Sequence, residues 1–171
     1  MVATVSGLDS ITVGTLSERT GVSKSGILTV FGSREAIQVA AVAEARRIYR
    51  EQVIAPAWGN APGGPRLRAL LEAWRSYVDA GVFTGGCFLA TTSVEYGHRE
   101  GPVADAVRRL KREWLELLER ELRANGSEHP DDDAFRIDAY LDAGTTQRQL
   151  YGDAGELDRA LRLALAVVDP R

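Results

Sequence analysis

The stretch Thr12-Val13-Gly14-Thr15-Leu16-Ser17-Glu18-Arg19-Thr20-Gly21-Val22-Ser23-Lys24-Ser25-Gly26-Ile27 reads as two short helices around a tight turn. A helix from about Val13 to Thr20 stops at Gly21, the residue type that enters a left-handed turn at least cost. Val22 can plug the core beneath the turn. Ser23 caps the next helix, whose first turn is Lys24-Ser25-Gly26 and which runs to about Val30. Helix, glycine turn, helix is the helix-turn-helix pattern. Its second helix lies in the major groove of DNA with its N-terminal residues toward the duplex. The free backbone N–H groups at that end, with Lys24 and the hydroxyls of Ser23 and Ser25, suit phosphate.

Helical spacing continues outward from this segment. Ser33 caps a third, longer helix that reaches about Ala55, with Glu35 in its first turn where the helix dipole favours an acid. Glycine and proline divide the rest, and 58–65 reads as a loop. A fourth helix carries Leu67, Leu70, Leu71, Trp74 and Val78 on one face. The fifth, about Cys87 to Tyr96, has no charge before Glu95 and is expected to be buried all round. The sixth opens at Pro102 and keeps an apolar face from Val103 to Leu122. A seventh follows Asp131-Asp132-Asp133 and runs to about Tyr151. The last presents Leu157, Ala160, Leu161, Ala164, Leu165 and Val168 as one stripe. Period-2 runs of β-branched residues are missing, so the fold class is all-α.

With 171 residues, the chain suits a minimal head in residues 1–50 and one larger helical body in 51–171. Its one cysteine, Cys87, leaves no intrachain disulfide and points to a reducing compartment. No apolar run approaches the ~20 residues that span a bilayer. The N-terminus lacks the basic and apolar regions of a signal peptide. The cytoplasm follows by elimination, with no membrane partner. The net charge is −3, divided as +2 over residues 1–50 and −5 over the remainder. A basic head on an acidic body suits a protein that presents one end to phosphate.

The segment Thr12 to Ile27, continued by Phe31-Gly32-Ser33-Arg34-Glu35-Ala36-Ile37, resembles the head of the tetracycline-repressor (TetR) family of bacterial transcription regulators. Gly85-Gly86-Cys87-Phe88-Leu89-Ala90, Gly101-Pro102-Val103 and Leu150-Tyr151-Gly152-Asp153 are similar to one branch of it. The resemblance implies a homodimer on double-stranded DNA with a palindromic operator, acting as a repressor released by a small, mostly apolar ligand. It implies no catalysis and no cofactor. Two positions where the family has tyrosine and histidine on the DNA backbone are Leu28 and Val30 here. DNA contact would therefore rest on Thr12, Lys24, Ser25, Gly26, Thr29 and Arg34. Trp74, Tyr77, Phe88, Thr91, Tyr96 and Trp114 would line the ligand cavity, although plain core is the commoner role of such aromatics. The last two helices would form the dimer interface through Leu157, Leu161, Ala164 and Leu165. In the family a first helix of about four turns precedes the helix-turn-helix. Met1 to Val5 supply only its final turn, as from a mis-assigned start. The expectation is a loose head with apolar surface exposed around Leu16, Val22, Ile27 and Phe31.

Other patterns carry less. Glu95-x-x-His98 has the spacing of di-iron bundle ligands but no second copy, so no metal is expected. Cys87 reads as a small buried hydrophobe. Arg108-Arg109-x-Lys111-Arg112 reads as a solvated face. Two rival functions remain: a helical ligand-binding dimer that no longer reads DNA, and a small all-α enzyme, for which no nucleophile–base pair stands out.

Overall fold

The computed structural model describes residues 2–169 and, among them, contains helices and turns but no strand. The head consists of α1 (Val2–Ser6), a 3-10 turn (Leu8–Ser10), α2 (Val13–Thr20), α3 (Lys24–Phe31) and the start of α4 (Arg34–Tyr49). The body adds α5 (Gly64–Asp79), α6 (Phe88–Tyr96), α7 (Pro102–Ala124), α8 (Pro130–Tyr151) and α9 (Gly155–Val168). Met1 lies outside the described residues.

Local capping fixes the helix-turn-helix. Thr12 and Thr15 close a reciprocal cap: Thr12 Oγ1 accepts from the Thr15 amide at 3.1 Å, and Thr15 Oγ1 accepts from the Thr12 amide at 2.9 Å. Gly21 ends α2 at φ 71°, a left-handed conformation that costs a side-chain-bearing residue about 1–2 kcal/mol. Ser23 and Ser33 then cap α3 and α4, each accepting an amide hydrogen bond at 3.1 Å.

α4 links head to body but is not one regular helix. After Tyr49 it passes through a π-helical turn, Arg50–Ile54, and ends in Ala55–Ala57. The Ala55 amide bonds to the carbonyl of Arg50, five residues back. Pro56, which has no amide to offer, follows at once, so the wider turn absorbs the break. Trp58, read from the sequence as the start of a loop, closes this last piece with its ring under the Arg66 guanidinium, 4.5 Å from its centroid.

The body core is Leu67, Leu70, Leu71 and Trp74 of α5, Val107, Leu118 and Leu122 of α7, Ile137 of α8 and Leu157 of α9, all essentially inaccessible. α8 and α9 pair most extensively, and they pack tightly at Gly144, where an added Cβ would lie 2.4 Å from Cβ of Ala160. Buried Glu121 ties the start of α5 to α7 by accepting from the Gly63 amide at 3.0 Å and from Arg66 at 3.1 Å.

Several expectations change here. α6 is not buried all round: Phe88, Leu89, Thr92 and Tyr96 face inward, while Val94 is 82% exposed. The last-helix stripe is largely spent inside the chain. Leu157 and Ala164 are completely buried against α8 and α5, and Leu161 and Leu165 pack partly on the same core. Leu157 and Ala164 therefore cannot touch a second copy; the exposed large apolar residues of these two helices are Phe135, Leu150 and Tyr151 of α8 and Leu163 of α9. In the head, Phe31 is exposed as expected and so is Val22, which therefore does not plug the core beneath the turn, while Ile27 is buried and Leu16 half-buried. Lys111 leaves the solvated face assigned to it, for reasons given below.

Candidate functional site

α3 turns only Ile27 firmly into the core and leaves Lys24, Ser25 and Thr29 in solvent. Lys24 forms no hydrogen bond or ion pair among the described residues, so its ammonium is uncommitted. Ser25 Oγ lies 3.2 Å from Ser23 Oγ, and Thr29 donates to the Ser25 carbonyl at 2.9 Å, which orients both hydroxyls along the exposed side of the helix. The Gly26 amide is taken by Ser23, and an added Cβ would crowd Ser23 and Val22 at 3.1 and 3.2 Å, so Gly26 allows the close packing of the turn and its amide is already engaged. Thr12 sits half-buried in its cap. Leu28, Val30 and Phe31 project from the same helix, Val30 76% exposed.

Arg34 begins α4, with its side chain half in solvent. Its guanidinium donates to the backbone carbonyl of Asp9 and stands 3.7 Å from the Asp9 carboxylate. That carboxylate also accepts from Arg99 at 2.5 Å and from the Tyr96 hydroxyl at 3.1 Å. The Arg99 hydrogen bond, with Tyr96 and the two guanidinium charges, holds Asp9 below the usual carboxylate pKa against its slight burial. Glu95, half of the Glu95-x-x-His98 pair, is engaged differently: it accepts the Leu8 amide at 2.9 Å and the Asp9 amide at 3.3 Å.

In the body, edge-to-face rings run from Trp114 to Tyr49 at 5.5 Å and from Tyr49 to Tyr77 at 5.4 Å. The series continues through Phe83 at 6.2 Å to Phe88 at 5.6 Å. Burial drives the Tyr49 and Tyr77 hydroxyls well above the ordinary tyrosine pKa and pushes the Cys87 thiol up to about 11. Cys87 is thus a buried thiol held in its neutral form, the weaker nucleophile. The six residues expected around one ligand chamber are not gathered around one. Trp114 borders a crevice of about 40 Å³ with Tyr49, Leu89 and Leu110, beneath Arg46 and Arg50. Phe88 borders a groove of about 260 Å³ toward the head, with Ile11, Leu16 and Ile48. Thr91 borders an open groove of about 520 Å³ between α6 and α8. Trp74 and Tyr77 are close-packed core, and the Tyr96 hydroxyl is spent on Asp9.

Sequence reasoning missed two groups. One is Asp9 with Arg99, whose separation in the chain hides their contact. The other is an ion cluster in which Lys111 meets Asp138 at 2.7 Å and Asp142 at 3.1 Å. Burial lowers the Lys111 pKa, but the two carboxylates outweigh it and leave it raised. Burial, then the Asp138 charge, raises that of Asp142. The outer face of α4 also carries a groove of about 720 Å³ lined by Arg46, Arg47, Arg50 and Trp58.

A family model described as "Tetracyclin repressor-like, C-terminal domain" matches residues 63–164. No curated protein matches the sequence. Among solved structures, a TetR transcriptional regulator from Chloroflexus aurantiacus is 23% identical, with a TM-score of 0.86 over 98% of this chain and 89% of its own. A TetR-family transcriptional regulator from Streptomyces coelicolor is 18% identical, with a TM-score of 0.84 over 98% of this chain and 82% of its own. AibR, solved with isovaleryl coenzyme A and operator DNA, is 13% identical, with a TM-score of 0.73 over 99% of this chain and 92% of its own. These likenesses match the fold along nearly the whole chain, head included, while the family model covers the body. Through that body, the chain belongs to the tetracyclin repressor-like (TetR) family of transcriptional regulators.

Proposed function

We propose that this protein is a DNA-binding transcriptional repressor that works as a homodimer on a palindromic operator in the cytoplasm and is released by a small, mostly apolar ligand. The observation that carries the reading is α3. Its start is fixed by Ser23, it is anchored by Ile27, and it presents Lys24, Ser25 and Thr29 outward at its N-terminal end. A helix placed in this way has side chains free to reach base edges and phosphate at once. Arg34, at the start of the next helix, adds a second phosphate-facing cation. A ligand role for the body is supported by the grooves beside α6 and by AibR, which was solved with isovaleryl coenzyme A and operator DNA. Release is a population shift, in which the ligand binds better to the form whose two heads are spaced wrongly for successive major grooves. The exposed Leu28 and Val30 favour the rival reading, a ligand-binding dimer without DNA, because apolar side chains cannot bond phosphate.

Selection from a random-sequence duplex pool with the full-length protein separates the two. Enrichment of an inverted repeat with half-sites about one helical turn apart supports the repressor. A pool that stays unenriched at low salt contradicts it.

A further inference from the structure

We propose that the Asp9 carboxylate competes with DNA phosphate for Arg34 in the head, and that Arg99 in the body relieves this competition by taking the larger share of the carboxylate. The proposal rests on the reading of Arg34 as a phosphate contact.

The geometry joins three segments far apart in sequence. The 3-10 turn Leu8–Ser10 is held on one side by α4, where Gln38 donates to the Leu8 carbonyl at 3.0 Å and Arg34 approaches Asp9. On the other side it is held by α6 and the residues after it. Glu95 accepts the Leu8 and Asp9 amides there, the Tyr96 hydroxyl donates to Asp9, and Arg99 closes on the carboxylate. Arg99 is itself fixed. Its guanidinium lies over the Tyr96 ring, 4.7 Å from the centroid, and its carbonyl accepts from Arg108 of α7.

One negative charge therefore faces two guanidinium groups, at 2.5 Å from Arg99 and 3.7 Å from Arg34. The closer partner takes the larger share, which leaves Arg34 with charge to spend on phosphate. If Arg99 withdraws, the whole carboxylate falls to Arg34. Arg34, which already donates to the Asp9 carbonyl, is then neutralised where it stands and has less charge to offer DNA. The segment that decides this is the C-terminal end of α6. The same helix lends Leu89 to the crevice beside Trp114 and Thr91 and Val94 to the groove against α8. An occupant that displaces α6 thus reaches Arg34 through two side chains, with no need to reshape α2 or α3.

The test uses the full chain, random-sequence duplex DNA at low salt as the probe, and each variant's melting temperature as a fold control. Phosphate contact is independent of sequence, so this probe suffices. Arg99→Ala is expected to weaken binding, and Asp9→Asn to strengthen it. Each change should be about twofold to fivefold, the range of one exposed ion pair. The double variant Asp9→Asn/Arg99→Ala should behave as Asp9→Asn does. A purely structural clamp makes both single variants weaken binding together, and that result, or no change in either, overturns the proposal. Arg34→Ala is run beside them. Weaker binding, with the effects of Asp9→Asn and Arg99→Ala abolished in its background, supports the proposal. Unchanged binding by Arg34→Ala removes the phosphate reading itself and the proposal with it.

Discussion

At Lys111 one ammonium faces two carboxylates that differ in role. Asp138 is the more buried and approaches Lys111 with both oxygens, at 2.8 and 2.7 Å. Asp142 is 43% exposed and offers one oxygen at 3.1 Å. Its raised pKa means that the fold favours its protonated form. A carboxyl whose folded pKa lies above its unfolded value contributes stability below the unfolded value of 3.8 and loses it as pH rises through the folded one. At neutral pH ionised Asp142 is therefore a net cost, and Asp142→Asn is expected to raise Tm. Solvent reaches the group, so the gain is below about 1 kcal/mol, or about 1–3 °C for a chain of this size. Well below pH 3.8, where the carboxyl is protonated in both the folded and the unfolded state, the gain should vanish. Asp138→Asn should act the other way, by about 1–3 kcal/mol, because it leaves a half-buried ammonium with its weaker partner. Thermal melts of the two variants check this, and a shift of the same sign in both would refute it. From the sequence Lys111 looked like one more cation in the Arg108–Arg112 run. Only the neighbouring helix reveals that it turns inward while Arg109 and Arg112 remain exposed.

At the scale of elements, α8 and α9 depend on Gly144. Gly144→Ala places a methyl 2.4 Å from Cβ of Ala160, and neither backbone can yield without separating the helices. Such overpacking costs about 1–3 kcal/mol. Ala160→Gly in the same chain removes the closest of these contacts and should recover part of the loss, and non-additivity in a double-mutant cycle read by denaturant melts is the expected signature. What the sequence made legible follows the same division between local and distant causes. α2, α3 and the start of α4 were placed to within a residue, because Thr12, Gly21, Ser23 and Ser33 act on their own immediate neighbours. The stripe Leu157–Val168 was correctly read as apolar, but two of the residues assigned to a partner, Leu157 and Ala164, are buried by the chain itself. Periodicity names a face but not what covers it, and α5 and α8 of the same chain cover Leu157 and Ala164. The apolar stretch of α6 misled for the same reason, since Thr91 and Val94 border a groove instead of a neighbouring helix. The Asp9–Arg99 pair was invisible, because no local rule links residues 90 positions apart.

For the whole molecule, the proposed dimer relocates to the outward side of α8 and α9, where Phe135 is 72% exposed and Leu163 38% exposed. Phe135→Glu/Leu163→Glu should turn a dimer into a monomer in light scattering while keeping helix content. Leu157→Glu buries an unpaired charge in the core and should unfold the chain, at a cost of several kcal/mol. A double variant that stays dimeric, or a wild type that is monomeric at micromolar concentration, contradicts this placement. The central claim, that the head docks on DNA through the N-terminal end of α3, is tested most directly by the salt dependence of binding to one operator-length duplex, wild type against Lys24→Ala. The account predicts a wild-type affinity that falls steeply as salt rises, with the Lys24→Ala slope of log affinity against log salt smaller by about 0.9, the value of one lost phosphate contact. Equal slopes for the two proteins, or binding indifferent to salt, would contradict it.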